Sequence, residues 1–131
     1  MEKAVFVFAG GLRLAMLVYG LRSRGHRIDG QHTASDAKAA MFRLDLCGEE
    51  VKVAVLTDSP GMVGKEAESA KQVAEYIKKN HPHIVIVEAG SVSRGISEHF
   101  VGGNGMGELS VDDVVSKVRE VCENNLKPTT Q

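Results

Sequence analysis

The sequence has 131 residues, enough for one compact domain with its own core and too few for two ordinary domains. Sixteen Lys and Arg residues against seventeen Asp and Glu residues leave a formal charge of −1, so no basic excess favours nucleic acid or an anionic membrane surface. Cys47 and Cys122 are the only cysteines, which fits a reducing cytosol and thiols packed towards the core. We therefore expect a cytoplasmic protein with no nucleic-acid or membrane partner.

The chain begins with a predicted strand and a predicted helix. Lys3 to Phe8 is an apolar strand, and Ala9, Gly10 and Gly11 form a tight turn into the helix. Gly25 is expected to end this helix in the left-handed conformation. The inward stripe of the helix consists of Leu14, Leu17, Val18 and Leu21. Met16 and Tyr19 lie off that stripe, which makes them candidates for a partner surface.

The next segment predicts a weaker strand and a second helix. His26 to Thr33 alternates in polarity, as a strand at or near the edge of a sheet does. Ser35 is predicted to be the N-cap of the helix, and Asp36 favours the helix N-terminus. Ala37, Ala40, Met41 and Leu44 give the inward face, and Gly48 closes the helix.

The stretch from Val51 to Ala89 predicts a strand, a helix and a second strand. Two short apolar runs, 51–56 and 84–87, are typical of strands that are covered on both faces. Between them an apolar stripe recurs at helical spacing: Ala67, Ala70, Val73, Ala74 and Ile77. A parallel strand pair joined by a helix is a βαβ unit, and its crossover is expected to be right-handed.

The remaining chain predicts a short helix or loop over Gly90–His99, a short strand starting at Phe100, a glycine-rich loop and a closing valine-rich helix. Ser110 and Asp113 form a capping box for that helix. We therefore predict one three-layer α/β/α domain over residues 1–124, with a flexible C-terminal tail over 125–131. Its sheet is predicted to have five mostly parallel strands in a flavodoxin-like (βα)5 arrangement.

The order of elements and one loop resemble the receiver domain of bacterial response regulators. The most specific match runs from Asp58 to Gly64 (DSPGMVG), which is similar to the Pro-Gly-Met-x-Gly loop that follows the receiver phosphorylation strand. Two softer matches are Arg24-Gly25-His26 and the segment 109–113 that opens the last helix. The resemblance covers about residues 3 to 123.

The residues on which receiver chemistry depends are absent from this sequence. The resemblance implies an acidic pair after the first strand, where Phe8, Ala9, Gly10 and Gly11 stand. With Pro60 and Gly64 as anchors, the phosphoacceptor position falls on Leu56, and the hydroxyl position of the fourth strand falls on Glu88. Gly102 and Gly103 stand where the resemblance implies a Lys. The resemblance therefore implies a degenerate pseudo-receiver that does not depend on phosphorylation.

In an open parallel sheet, ligands bind beyond the carboxyl ends of the strands. The candidate ligand-binding residues at that edge are Gly10, Gly11, Arg13, Asp58, Ser59, Glu88, Ser91 and Arg94. The glycine pair lacks the full Gly-x-Gly-x-x-Gly spacing of dinucleotide sites. Asp58 either ligates a cation with Glu88 or caps its helix, and Glu88 either titrates abnormally or pairs with Arg94. The five histidines are scattered, so no metal site is predicted. No catalytic residue is predicted either.

Two functions follow from these patterns. The first is a receiver-like signalling or regulatory module that is not an enzyme, needs no cofactor and binds a protein partner or forms a homodimer. Its expected contact face consists of the last strand, the loop 100–108 and the last helix. The alternative is a small nucleotide- or phosphometabolite-binding protein or enzyme with its site at the carboxyl edge of the sheet. Mg²⁺ or a nucleotide is expected only under this alternative.

Overall fold

The computed structural model describes residues 3–57, 65–90, 95–102 and 110–126. The strands in these ranges are β1 (Ala4–Phe8), β2 (Thr33–Ala34), β3 (Val51–Thr57), β4 (Val85–Gly90) and β5 (His99–Gly102). The α-helices in them are α1 (Gly11–Ser23), α2 (Ala37–Cys47), α3 (Lys65–Asn80) and α4 (Val111–Leu126). Short 3-10 turns cover Gly30–His32 and Gly48–Glu50. No helix in the described ranges is long and apolar enough to cross a membrane.

The five strands form one parallel sheet in the order β2-β1-β3-β4-β5. Leu56 of the central strand lies beside Phe8 of β1 and Glu88 of β4, and Gly90 lies beside Gly102 of β5. All strands therefore end at the same edge. This topology confirms the predicted flavodoxin-like α/β fold, with every described strand pair parallel.

Helices cover both faces of the sheet because alternate strand residues point to opposite sides. On one face α2 and α3 pack on a cluster that contains Phe6, Phe8 and Leu56. On the other face α1 and α4 pack on a cluster that contains Val5, Val7 and Val55. The inward stripes predicted for the helices are buried or partly buried, except for Ala67, whose side chain lies outside the described set. The three-layer arrangement is confirmed.

The helix ends mostly follow the predicted capping chemistry. Gly25, just after α1, has φ 90°, the left-handed conformation that glycine adopts without steric cost. The Ser110 hydroxyl accepts a hydrogen bond from Asp113 N at 3.3 Å. The prediction for α2 is wrong by one residue, because Asp36 rather than Ser35 is the N-cap and accepts from Ala39 N at 3.1 Å.

The second strand is much shorter than predicted. Instead of running from His26 to Thr33, it covers only Thr33 and Ala34, and a single bridge joins Ala4 to Arg27. The Asp29 side chain accepts from Gln31 N at 2.9 Å and starts a 3-10 turn that interrupts the pairing. Local capping therefore wins over strand pairing. The predicted edge position is confirmed, since β2 is the outermost strand on its side.

Eight residues separate β4 from β5, and none of the described ones is helical. Gly95 has φ 73°, and Ile96 is buried in the cluster under α2 and α3. The Ser97 hydroxyl donates to Ile86 O at 2.5 Å and accepts from His99 N, which fixes this connection on β4. β5 begins at His99, one residue before the predicted start, and α4 continues to Leu126, beyond the predicted boundary at 124.

Both cysteines lie towards the core. Cys47 is buried and Cys122 is half-buried. Burial raises the pKa of each thiol, with smaller contributions from neighbouring charges. The thiols therefore carry little reactive thiolate at neutral pH, as expected for packed cysteines.

Candidate functional site

The turn from β1 into α1 is the best described part of the predicted edge site. Gly10 is the N-cap of α1 in an extended conformation and provides no side-chain cap, and Gly11 has φ 51°. Ala9 N donates to Ala34 O at 3.2 Å, which ties the turn to β2. The first turn of α1 contains no acidic residue. The positive φ of Gly11 explains that glycine, and the described turn provides no carboxylate for a cation.

Glu88 lies within β4 and not at its tip. Its side chain is 3% exposed, and the residue lies beside Leu56 and Phe100 in the sheet. Side-chain alternation places it on the same face as Ile86, which packs in the cluster under α2 and α3. Gly10, Gly11 and Arg13 belong to the turn and helix on the opposite face. The structure therefore does not bring Glu88 together with the α1 residues.

The other four predicted site residues, Asp58, Ser59, Ser91 and Arg94, lie outside the described residues. Their roles, including the pairing of Glu88 with Arg94, stay predictions. Within the described part of the chain, no group of three or more His, Cys, Asp or Glu residues could hold a metal ion.

Two histidines join α2 to the segment before β4, at the amino-terminal side of the sheet. His81 Nε2 lies 3.2 Å from Asp45 Oδ1, and His83 Nε2 lies 2.7 Å from Gly48 O. The Tyr76 hydroxyl donates to the Asp45 carboxylate at 2.5 Å. This hydrogen bond from Tyr76, more than the neighbouring His81, lowers the pKa of Asp45. The two histidines have a structural role, away from the carboxyl edge.

His32 is a buried titratable residue whose environment was not predicted from the sequence. Its imidazole is fully buried, with Nδ1 2.7 Å from Asp29 Oδ1 and Nε2 3.9 Å from Glu50 Oε2. Arg27 Nη2 lies 3.0 Å from the same Glu50 oxygen. Burial opposes ionisation of Asp29, but the Gln31 N–H and His32 together lower its pKa. The sequence signal that could have indicated the contact between Asp29 and His32 is their Asp-x-x-His spacing, which is typical of a tight turn.

The large apolar side chains that are exposed in the described residues lie on α1 and α2. On α1, Leu12 is 76%, Met16 47% and Tyr19 77% exposed. Phe42 and Leu46 of α2 are 65% and 68% exposed. The prediction for Met16 and Tyr19 is confirmed as to exposure. Leu12, Phe42 and Leu46 were missed, although the helical period that points Leu17 and Leu44 inward also points these residues outward.

Tyr19 stands between two shallow grooves. The groove towards α4 has a volume of 270 Å³ and includes Met16, Gly20 and Val111 in its lining. The groove towards the β2 edge has a volume of 380 Å³ and includes Leu14, Val18 and Thr33. Side chains of a partner can insert into the two grooves and pack against the apolar ridge between them.

The predicted contact face includes the last helix, and the exposed side chains described on that helix are polar. Its exposed residues on α4 are Asp112, Asp113, Ser116, Arg119, Glu120, Glu123 and Asn124. Residues 103–109, which belong to the same predicted face, lie outside the described residues. A role for this face in partner binding stays a prediction.

The described strands and helices form a flavodoxin-like α/β fold, and solved structures with a similar fold include receiver domains. A chain of the CheX–CheY–BeF3–Mg complex from Borrelia burgdorferi superposes with a TM-score of 0.68 at 14% identity, covering 92% of this chain and 90% of that one. A response-regulator receiver domain protein from Clostridium thermocellum gives 0.68 at 12% identity, with 93% and 96% covered. A chain of the complex between Ypd1 and the Ssk1 receiver domain from Saccharomyces cerevisiae gives 0.60 at 15% identity, with 98% and 95% covered.

No family model and no curated protein matches the sequence. At identities this low, the structural likeness establishes the receiver fold and nothing about activity. The predicted receiver-like fold is confirmed.

Proposed function

We propose that this chain is a receiver-like regulatory module that acts through contacts with other proteins and does not depend on phosphorylation. The observation that carries the proposal is the environment of Leu56, where the resemblance places the phosphoacceptor. Leu56 is fully buried in the core, beside Phe8 and Glu88. An aliphatic side chain in that place can neither accept a phosphoryl group nor ligate a cation.

The surroundings of Leu56 support the same conclusion. A hard cation such as Mg²⁺ prefers several oxygen ligands, and the turn after β1 provides glycines instead of carboxylates. Glu88, where the resemblance implies a hydroxyl, is buried on the α3 side of the sheet. Gly102, where it implies a Lys, ends β5 without a side chain.

The contact surface that we propose is the outer face of α1. Leu12, Met16 and Tyr19 recur at spacings of four and three residues, so they form one apolar stripe. Stripes of this kind are typical anchors for an apolar groove or helix of a partner. The charged residues of α1 itself, Arg13 and Arg22, are both basic. The partner surface that we propose is therefore apolar, with acidic residues where it faces these two arginines.

The solved structures with this fold support contacts as a mode of action, since they include complexes of CheX with CheY and of Ypd1 with the Ssk1 receiver. Those partners are properties of those proteins. For this chain they support only the general proposal that a receiver fold can dock on another protein.

The first test is an amide NMR titration with Mg²⁺ and beryllofluoride, which mimics an aspartyl phosphate. We expect no shifts at Leu56, Glu88 or residue 58 and its neighbours. Saturable shifts centred there would contradict phosphorylation independence. The same titration with a nucleotide mixture tests the alternative function, because saturable movement at Gly10, Gly11 and Arg13 would favour a nucleotide or phosphometabolite site at this edge.

The second test addresses the contact surface. A partner recovered with the wild-type protein from its native source is identified by mass spectrometry, purified and titrated against the variants. We expect Tyr19→Ala and Leu12→Ala each to weaken binding by at least about tenfold, as anchor residues do. Asp58→Asn serves as the matched control and is expected to bind like wild type. Equal binding by all three variants would contradict the α1 surface.

A further inference from the structure

A second exposed apolar pair lies on α2, on the opposite face of the sheet from α1. Phe42 and Leu46 are one helical turn apart, and about two thirds of each side chain is exposed. The other side of the same helix, with Ala40, Leu44 and Cys47, is buried in the core. The inner face already supplies the packing that the fold needs, so the outer pair needs another explanation.

Charged residues flank the outer pair with opposite signs at its two ends. Lys38 lies one turn before Phe42 and is exposed. Glu49 follows Leu46 by three residues, in the 3-10 turn after α2, and is also exposed. Asp45, beside Leu46, adds a further exposed carboxylate. The outer surface of α2 is thus basic at the amino end, apolar in the middle and acidic at the carboxyl end.

This order of charges is complementary to itself when two copies are antiparallel. With a twofold axis on the outer side of α2, at the level of residue 44 along the helix, Phe42 of one copy faces Leu46 of the other, since the two residues are equally far from the axis. Lys38 of each copy then lies opposite the acidic end of its partner, near Glu49. A twofold interface uses the same patch on both subunits, and opposite charges fix its direction.

The geometry points to a second copy of this chain as the occupant of the α2 surface: we propose that α2 pairs with α2 of another molecule in an antiparallel homodimer. The α1 stripe does not fit a second copy as well. The charged residues of that helix, Arg13 and Arg22, are both basic, so pairing of α1 with α1 would bring no opposite charges of the two helices together. The two surfaces therefore fit different occupants.

The length of α2 limits the area that the dimer can bury, and therefore its affinity. The helix has 11 residues and is about 16 Å long. Paired helices of this length bury less than the roughly 1,200–2,000 Å² of stable protein interfaces. We therefore expect a reversible dimer with a dissociation constant on the order of 100 µM. Such a contact responds to local concentration, for example when a bound partner brings two copies together.

Sedimentation equilibrium on the full chain, from about 1 µM to about 1 mM, tests the proposal. The weight-average mass is expected to rise from 14.1 kDa towards twice that value. Phe42→Glu and Leu46→Glu should each raise the dissociation constant by at least about tenfold. Leu12→Glu is the matched control, because it puts the same charge at an equally exposed leucine on α1, and it should leave the constant unchanged.

A charge exchange tests the direction of pairing without removing an apolar group. Lys38→Glu should weaken the dimer, and combining it with Glu49→Lys should restore it, since opposite charges then face each other again. A monomer at all concentrations, a dimer that survives Phe42→Glu, or a double variant no tighter than Lys38→Glu would each overturn the proposal. Far-UV circular dichroism confirms that the variants compared are folded.

Discussion

Gly20 of α1 lies against α4, and replacing it tests the packing beneath the proposed α1 surface. A Cβ built on Gly20 would lie 2.7 Å from Val111 Cγ1 and 3.3 Å from Val115 Cγ2. The first distance is shorter than real carbon contacts allow, so the Val111 side chain or one of the helices must shift. Val115 is buried and has little room to yield.

Two opposing effects set the result of Gly20→Ala. Overpacking of this kind costs about 1–3 kcal/mol, whereas alanine in place of a helical glycine stabilises by about 0.5–1 kcal/mol. We therefore expect Gly20→Ala to lower the free energy of unfolding by about 1 kcal/mol. In a domain of this size, that loss lowers the Tm by about 3–5 °C. Urea unfolding followed by circular dichroism measures the change.

A second background separates the two effects. Val111→Ala removes the methyl group that the new Cβ would meet, so Gly20→Ala should there raise the free energy of unfolding by up to about 1 kcal/mol. The coupling between the two substitutions is then about 2 kcal/mol, within the usual range for residues in contact. If Gly20→Ala is neutral or stabilising in the wild-type background, the close approach of α1 and α4 described above is wrong.

Three further results are expected. Asp36→Ala should lower the free energy of unfolding by about 1 kcal/mol through loss of the α2 cap, whereas Ser35→Ala should change it little; equal effects in urea unfolding would contradict the capping assignment. Because the pKa of Asp45 is lowered in the folded state, its contribution is present above the unfolded pKa and is lost as the pH falls through the folded value. Tyr76→Phe should therefore destabilise the protein at pH 7 more than near pH 3, and a pH-independent difference in urea midpoint would argue against the hydrogen bond. The thiol of Cys47 should react with a thiol reagent at pH 8 only as fast as the protein opens; immediate labelling of the native protein would contradict its burial.

The sequence predicted correctly the strands and helices whose apolar residues form the core. The apolar runs at 51–56 and 84–87 became strands in the middle of the sheet, where both faces are covered. The stripe around Val73 and Ile77 became the buried side of α3. In these elements the residues that are apolar at strand or helix spacing are also the residues that the core buries, so the local pattern is enough to predict them.

The prediction was wrong where two local tendencies compete. Residues 26–33 alternate in polarity like a strand, but Asp29 forms a capping hydrogen bond and the chain turns before it pairs. Which outcome occurs depends on where these residues lie relative to β1, and a local sequence pattern does not carry that information. The Asp-x-x-His spacing of residues 29–32 points to the contact of His32 with Asp29. No local pattern shows that Glu50 also lies beside His32, because Glu50 reaches it from the 3-10 turn before β3.

The edge site shows a different limit. The sequence placed Gly10 and Glu88 at the same edge. In the structure Gly10 follows β1 and Glu88 lies in the carboxyl half of β4, and β3 separates these two parallel strands. However, alternation along β4 turns Glu88 to the face opposite α1. Proximity along an edge therefore does not make a site unless the side chains also point to the same face.

The distribution of exposed apolar groups is the strongest reason to look for function on the helices. A fold with two packed faces needs one inward stripe on each helix, and α1 and α2 each provide one through residues such as Leu17 and Leu44. The outward groups on these helices, such as Tyr19 and Phe42, add nothing to that core. The charged residues of α1 itself are both basic, whereas those on the outer side of α2 have both signs, so we expect the two helices to fit different partners. A module that binds a different protein on one face and its own copy on the other would link partner binding to self-association.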